Sequence, residues 1–328
     1  MRNVLITLRQ RLWHAVPTVL GILLINFFLL QQIPGDAVDI LAAEAGGASA
    51  ESMAALRQAY GLDGNMFQRF YHYLYQLAHL DLGVSPRFNA PVFDLIMDRL
   101  GNSLFLVSAG LLIAVFLGVA AGLIMAHYAG RWPDQLLSLI NLILYSMPGF
   151  WVGLLLLLFF SVQLGWFPTN GHASIGLSLT GWDWWVDRAL HAILPVFTVA
   201  TFFIAVYARL TRAAMLETQN QDYVRTAKAK RLSTLRITLK HQLPNALIPI
   251  STMVGVHFAA LFGGAAVTET VFGWPGLGRL TLDAVMARDF TLLVNILLLS
   301  SLLVVVVNIL VDLIQSGLDP RIRVESTP

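Results

Sequence analysis

Six stretches of this chain are too long and too apolar to remain in water: residues 11–31, 101–127, 134–164, 190–214, 245–270 and 291–316. A helix needs roughly 20 apolar residues to cross a bilayer. Within lipid, each backbone N–H and C=O must find its partner inside the segment itself. Composition points the same way. Hydrophobic residues make up 57% of the 328 and charged residues 12%, whereas soluble domains carry about 25% charged residues. Outer-membrane barrels show short alternating segments, and these runs do not alternate. The chain therefore reads as an all-α polytopic membrane protein with six transmembrane helices. No internal repeat or low-complexity tract divides it.

The N-terminus, "MRNVLITLRQRLWHAVPTVLGILLINFFLLQQIPGD", places Arg2, Arg9 and Arg11 ahead of an apolar run. That run is longer than the core of a cleaved signal peptide, so it reads as a retained first span. Lys and Arg set the orientation, because they accumulate in cytoplasmic loops. With the N-terminus inside, the cytoplasm holds fourteen of the 21. These are the three N-terminal arginines, Arg131, Arg209, Arg212, Arg225, Lys228, Lys230, Arg231, Arg236, Lys240, Arg321 and Arg323. The outside holds Arg57, Arg69, Arg87, Arg99, Arg188, Arg279 and Arg288, and the first four lie in a loop too long to weigh heavily. Both termini are thus expected in the cytoplasm, as residues 1–10 and a tail at 321–328. Residues 32–100 form an extracytoplasmic loop. Residues 101–320 carry the remaining five spans, with a cytoplasmic loop at 215–244.

Within the spans, Ala114, Gly118, Gly122 and Ala126 recur every four residues and give the second helix one small face. Small faces let backbones approach closely in lipid, and Gly149 and Gly153 are expected to do the same in the third helix. Pro148, in "YSMPGFWVG", removes a backbone donor and should kink the long third segment. Pro195 and Pro249 are expected near the starts of their helices. In the first loop, "MFQRFYHYLYQLAHLDLG" has the spacing of an amphipathic helix that lies on the membrane, caps the bundle or binds through its aromatics. His72 and His79 could share a face, but two histidines do not make a metal site, and no metal is assigned. Intramembrane ionisable groups are functional candidates by default. His257 is either a packed, hydrogen-bonded side chain or a residue of the transport path, with Pro148 and Phe150 as further path candidates. The chain lacks a P-loop, an H-E-x-x-H site and a G-x-S-x-G elbow. Catalytic and cofactor sites are therefore not expected, and any ATP must be bound by another chain.

One stretch between the apolar runs stays polar: "DYVRTAKAKRLSTLRITLKHQLPN", residues 222–245. It is rich in helix formers and in positive charge. It reads as a short helical hairpin, or a pair of helices, in the cytoplasm. Such an element either lies on anionic lipid headgroups or docks a cytoplasmic partner.

The same residues resemble the coupling loop of ABC importer permeases, whose pattern is E-A-A, three residues, Gly, then a spaced I-x-H-x-L-P-N. Thr226-Ala227 falls in the E-A-A part, and His241-Gln242-Leu243-Pro244-Asn245 matches the end. Arg225 stands where Glu is usual in the wider superfamily, and Arg231 stands at the family's Gly. "LRQAYGLD", "LDLGVS", "SMPGFWVG", "ARLTRAAMLE", "VFGWPGLGRL", "ARDF" and "LVDLIQSGLDPRIR" extend the resemblance over most of the chain, nearest to the B-type permeases of dipeptide, oligopeptide and nickel importers. The resemblance implies a type I importer fold that moves peptides by alternating access. It implies a second, C-type permease, two cytoplasmic ATPases that bind ATP and magnesium, an extracytoplasmic binding protein and membrane lipid as partners, and no nucleic acid. Carried onto this chain, the ATPase-coupling residues are Tyr223, Arg225, Thr226, Ala227, Ala229, Lys230, Arg231, Leu232, His241, Pro244 and Asn245. A glycine after a short helix supplies a left-handed turn, which costs another residue roughly 1 kcal/mol. Either the turn is built differently here, or Arg231 accepts that strain and contacts the ATPase. A nickel chelate is the alternative cargo, followed by small glycosides. The competing functions are an ion-coupled secondary transporter and a scaffold that binds proteins through the basic loop.

Overall fold

A computed structural model describes residues 2–32, 52–54, 65–85 and 87–318. Most of the first loop, at 33–51 and 55–64, and the expected cytoplasmic tail at 321–328 lie outside the described residues. The elements in chain order are α1 (Arg2–Gln31), α2 (Met66–Ala78), β1 (Val84–Ser85), β2 (Ala90–Pro91), α3 (Val92–His127), α4 (Trp132–Ser146) and α5 (Gly149–Leu156). Then follow α6 (Gly181–Thr218), α7 (Asp222–Ala229), α8 (Thr234–Ile237), α9 (Leu243–Gly264), α10 (Ala266–Val271), α11 (Leu277–Ala287) and α12 (Phe290–Leu318). Wide π-helical turns continue α5 through Leu157–Gln163 and join α8 to α9 through Thr238–Gln242.

Among the described residues, four helices are long and apolar enough to cross a membrane: Trp13–Gln31, Val92–His127, Gly181–Thr218 and Phe290–Val311. The expected third span is not one kinked helix. It breaks between Trp132–Ser146 and Gly149–Gln163, with a bend of 103°. The reason is local. Met147 takes the extended backbone (φ −80°, ψ 133°) that a residue before proline prefers, and Pro148 begins a new helix instead of bending an old one. A count of six spans takes that broken pair as one and includes the 22-residue α9. α6 starts at Gly181, nine residues earlier than expected, so Pro195 lies well inside it and not near its start. α3 likewise begins at Val92, which makes helix of the last part of the expected outer loop.

The chain divides into two compact units, one of Met1–Gln10, Asn102–Arg279 and Val306–Pro328, the other of Arg11–Gly101 and Leu280–Val305. The first contains the main core: Leu106, Val107 and Leu111 of α3, Val196, Val199, Ala200 and Tyr207 of α6, and Ile250 of α9. The approach of α3 to α6 follows the small face. A β-carbon added at Gly118 would stand 2.6 Å from Tyr207 Cβ and 2.9 Å from the Ile204 carbonyl. At Gly122 it would stand 2.5 Å from Thr211 Cβ and 2.6 Å from the Ala208 carbonyl. Ala114 and Ala126 are also buried. A β-carbon added at Gly153 of α5 would meet Phe272 and Thr198, whereas one added at Gly149 would meet no other part of the described chain within 4 Å.

In the second unit, α2 is closed at its start by a reciprocal cap. Asn65 Oδ1 accepts from Gln68 N at 2.9 Å, and Gln68 Oε1 accepts from Asn65 N at 3.0 Å. Its aromatics pack on α1. Asn26 Nδ2 donates to the Tyr73 hydroxyl at 2.8 Å, and the Phe27 and Phe70 rings meet edge to face with centroids 5.1 Å apart. Burial pushes the Tyr73 hydroxyl above the ordinary phenol range, against a smaller downward pull from Asn26. The β1–β2 hairpin is held by Ser85 Oγ, which donates to the Asp289 carboxylate, while Asp289 Oδ1 accepts from Leu292 N at 2.9 Å and so caps α12.

A side chain at position 122 must displace α6 backbone. Gly122→Val is expected to cost about 1–3 kcal/mol, the usual range for overpacking, and to lower the melting temperature in detergent. Gly149→Ala should leave it unchanged.

Candidate functional site

The polar stretch at 222–245 folds around a small core of its own. α7 is an eight-residue helix, too short to persist in water without tertiary support. Support comes from apolar side chains at i, i+3 spacing. Val224 and Ala227 are buried against Ile237 of α8, with Leu232 packed beside them. The remaining face of α7 is polar. Arg225 lies 3.6 Å from Asp222, and Thr226 Oγ1 donates to the Asp222 carbonyl at 2.9 Å. The result is an amphipathic helix with its own backing, which presents Tyr223, Arg225, Thr226, Lys228, Ala229 and Lys230 outward.

Its end answers the question that Arg231 poses. Lys230 is the last turn residue, and Arg231 takes a left-handed backbone with φ 53°. Arg231 N donates to the Lys228 carbonyl at 2.9 Å, and Leu232 N donates to the Ala227 carbonyl at 3.3 Å. These two bonds, with Leu232 packed back on the apolar face, make a Schellman cap with arginine in the position that favours glycine. The turn is therefore built as a glycine would build it, with roughly 1 kcal/mol of backbone strain, and the Arg231 side chain is exposed.

Not every residue assigned to the coupling surface faces outward. Ala227 is only 4% exposed and Leu232 half-buried, so both belong to the backing of the loop and not to its outer face. His241 is half-buried in the π-helical turn, while Pro244 and Asn245 are exposed and Asn245 Nδ2 donates to the His241 carbonyl at 2.9 Å. The loop is joined tightly to the helices beside it. Between α6 and α7 lie only Gln219–Gln221, where Gln219 N donates to the Met215 carbonyl at 3.3 Å and Gln221 N to the Thr218 carbonyl at 3.2 Å. Met215, Ala126 and Ala246 pack together at the base, where α6, α3 and α9 meet.

Of the path candidates, His257 sits half-buried with Nδ1 3.0 Å from the Tyr207 hydroxyl and its ring 4.8 Å from that of Phe203. This is the packed, hydrogen-bonded arrangement. Pro148 opens α5 and Phe150 is about half exposed. Among the described residues no group of three or more His, Asp or Glu is placed to hold a metal.

Sequence reasoning did not single out Asp134, Arg212 or Glu269 as site residues. Asp134 and Arg212 form a bidentate pair, with Arg212 Nε donating to Oδ1 at 2.7 Å and Nη2 to Oδ2 at 2.8 Å. Glu269, within the expected segment 245–270, is fully buried. It accepts from Ser103 Oγ at 2.5 Å and from Arg279 N at 2.9 Å, so a carboxylate closes the N-terminus of α11. Around it, Trp274 Nε1 donates to the Asn102 carbonyl at 3.1 Å and Asn102 Nδ2 to the Pro275 carbonyl at 3.0 Å. The glycines of "FGWPGLG" are spatial necessities, since a side chain at Gly276 would collide with the Glu269 carboxylate and one at Gly278 with Ala266. An acid within an apolar segment is itself the signal that could have found Glu269.

Arg231→Gly should relieve the strain in the cap. Amide exchange across 222–235 is expected to slow by up to about fivefold, the counterpart of ~1 kcal/mol, as read by mass spectrometry. Arg231→Val should quicken it.

Residues 118–324 match the family described as binding-protein-dependent transport system inner membrane component. The chain is 38% identical over 314 residues to the glutathione transport system permease protein GsiC of Escherichia coli K12, covering 96% of this chain and 97% of that one. It is 36% identical over 331 residues to the dipeptide transport system permease protein DppB of the same organism, with the same coverage. Among solved structures, the MetNI methionine ABC transporter in an inward-facing conformation superposes with a TM-score of 0.56 at 17% identity, over 69% of this chain and 96% of that one. That likeness shows the fold. The chain belongs to this family: it is an inner-membrane permease component of a bacterial ABC importer, a class in which separate ATPase subunits carry out ATP hydrolysis.

Proposed function

We propose that this chain is one of two permeases of a peptide importer, paired with a C-type permease and served by two cytoplasmic ATPases and an extracytoplasmic binding protein. The cargo is a small peptide, a dipeptide or a tripeptide such as glutathione. Support for the cargo class comes from near-full-length similarity to permeases of glutathione and dipeptide systems. ATP and magnesium are bound by the ATPase subunits, and this chain contributes no cofactor site and no covalent chemistry. Transport is by alternating access between two states of the permease pair, and the free energy for the shift comes from the differential affinity of the ATPases for those states.

The observation that carries the mechanism is the outward face of α7. A helix with its own apolar backing, a closed C-terminal cap and a three-residue connection to α6 is suited to receive a push without unfolding. Its exposed Tyr223, Arg225, Thr226, Ala229, Lys230 and Arg231 offer an aromatic ring, hydroxyl and cationic groups to an ATPase cleft. Ala227 and Leu232 contribute by holding that face in shape.

The natural chain has no cysteine, so single introduced cysteines report cleanly. In a complex co-expressed with its genomic neighbours, Ala229→Cys and Tyr223→Cys are expected to cross-link to an ATPase subunit, and Val224→Cys is not. Failure to recover an ATPase with this chain would sink the coupling assignment. Ala229→Trp should reduce uptake of a labelled dipeptide at least about tenfold, equivalent to ~1.4 kcal/mol of lost docking energy, with the protein still in the membrane. Competition assays fix the cargo class: unlabelled glutathione or dipeptide is expected to suppress uptake, and suppression by a nickel chelate alone would replace the peptide reading.

A further inference from the structure

Asp134 stands in the first turn of α4, and Arg212 stands near the end of α6, one short step before the α7 coupling helix. Their contact is a fork. Two parallel hydrogen bonds of 2.7 and 2.8 Å fix the angle between the groups as well as their separation, which a single lysine contact cannot do. The second carboxylate oxygen also accepts from Gly130 N at 2.9 Å, in the turn between α3 and α4. One buried carboxylate thus joins that turn, α4 and α6.

The fork is the first of several fastenings along the same pair of helices. Farther along α4, the Arg209 guanidinium lies 4.2 Å over the Tyr145 ring, and Tyr145 stacks on Phe202 with centroids 4.9 Å apart. α4 is therefore held to α6 at both of its ends. Immediately beyond Tyr145 comes the break at Met147–Pro148. At the other end, the connection from α6 to α7 is short and tied down: Thr218 Oγ1 donates to the Met215 carbonyl at 2.9 Å, Gln219 N to the same carbonyl at 3.3 Å and Gln221 N to the Thr218 carbonyl at 3.2 Å.

We propose that Asp134 and Arg212 are positioning residues for transport: their fork makes α4 and α6 one rigid lever, through which movement of α7 reaches the break between α4 and α5. The inference rests on α7 being the ATPase contact. The pair touches neither cargo nor nucleotide. It converts a displacement at the end of α6 into rotation of both helices together, and without it α6 slides past α4 and the displacement is lost before the break.

The test uses the assembled complex in liposomes, with Asp134→Asn, Arg212→Gln and the exchanged double variant D134R/R212D. Two quantities are read: radiolabelled dipeptide imported per ATP hydrolysed, and the distance between nitroxides on cysteines introduced at the exposed positions Leu139 of α4 and Lys228 of α7. In the parent the spin-label distance is expected to be the same without nucleotide and with vanadate-trapped nucleotide. In Asp134→Asn it becomes nucleotide-dependent, ATP hydrolysis persists, and import per ATP falls at least about fivefold, the lower edge of ordinary allosteric couplings. The exchanged variant, which keeps an ion pair, recovers part of that import. Unchanged import per ATP in Asp134→Asn overturns the proposal, as does a spin-label distance that the substitution leaves insensitive to nucleotide. So does an exchanged variant that assembles normally but stays uncoupled. Parallel loss of assembly, hydrolysis and import in all three variants also overturns it, since that is the behaviour of a packing contact. Failure of the α7 reading is distinguishable, because it removes the Ala229→Cys cross-link to the ATPase in the otherwise unmodified chain.

Discussion

The close approach of α3 to α6 is the contact on which the first unit depends. Lipid gives helices no hydrophobic reason to associate, so van der Waals contact at short range must hold them together. Gly118 and Gly122 bring α3 against the α6 backbone near Ile204, Tyr207, Ala208 and Thr211. α6 is then a shared wall. α4 packs on it through Asp134 and Tyr145, α5 through the contact of Gly153 with Thr198, and α9 through Ile250 and His257. A movement of α6 therefore bears on each helix packed against it, and it is the helix that leads into α7.

The polar loop solves a different problem. A short helix exposed to water must be stable enough to bear force, yet α7 has only two turns. The solution is a core of four residues, Val224, Ala227, Leu232 and Ile237, closed by a left-handed cap. Arg231 shows that the cap geometry is kept at some cost in backbone energy, and that the exposed guanidinium occupies a position where glycine would offer no side chain at all. The turn keeps its shape while its chemistry changes.

Much of this was legible from residue order. Four of the six apolar runs lie within α1, α3, α6 and α12, because a run long enough to span lipid has no alternative to helix; the other two are interrupted, at Met147–Pro148 and at Ala265. The repeat of Ala114, Gly118, Gly122 and Ala126 located the packed face of α3, and Pro148 marked the interruption of the third span. The ends of helices were harder. "GWDWWVDRA" lies ahead of the expected span, yet it is the first part of α6, since aromatic and charged residues are compatible with helix once the chain leaves the hydrocarbon. This displaced start is why Pro195 falls inside its helix. The inward turn of Ala227 was implicit in its i, i+3 spacing from Val224, but the match to a functional pattern drew attention to contact and away from packing. The β1–β2 hairpin and the cage around Glu269 depend on pairings between residues far apart in sequence, such as Ser85 with Asp289 and Ser103 with Glu269, which no local pattern announces.

The buried fork also has a history within each molecule's synthesis. Asp134 and Arg212 are 78 residues apart. At about 5–20 residues per second, Asp134 emerges roughly 4–16 s before its partner exists. During that interval a carboxylate bound for the protein interior has no guanidinium. Its place in the first turn of α4 gives it the Gly130 amide, a partner from the turn just before it that is already synthesised. Insertion of α6 then brings the charge that completes the site. The fork is thus completed in order of synthesis: α4 precedes, by 78 residues, the helix that supplies its partner.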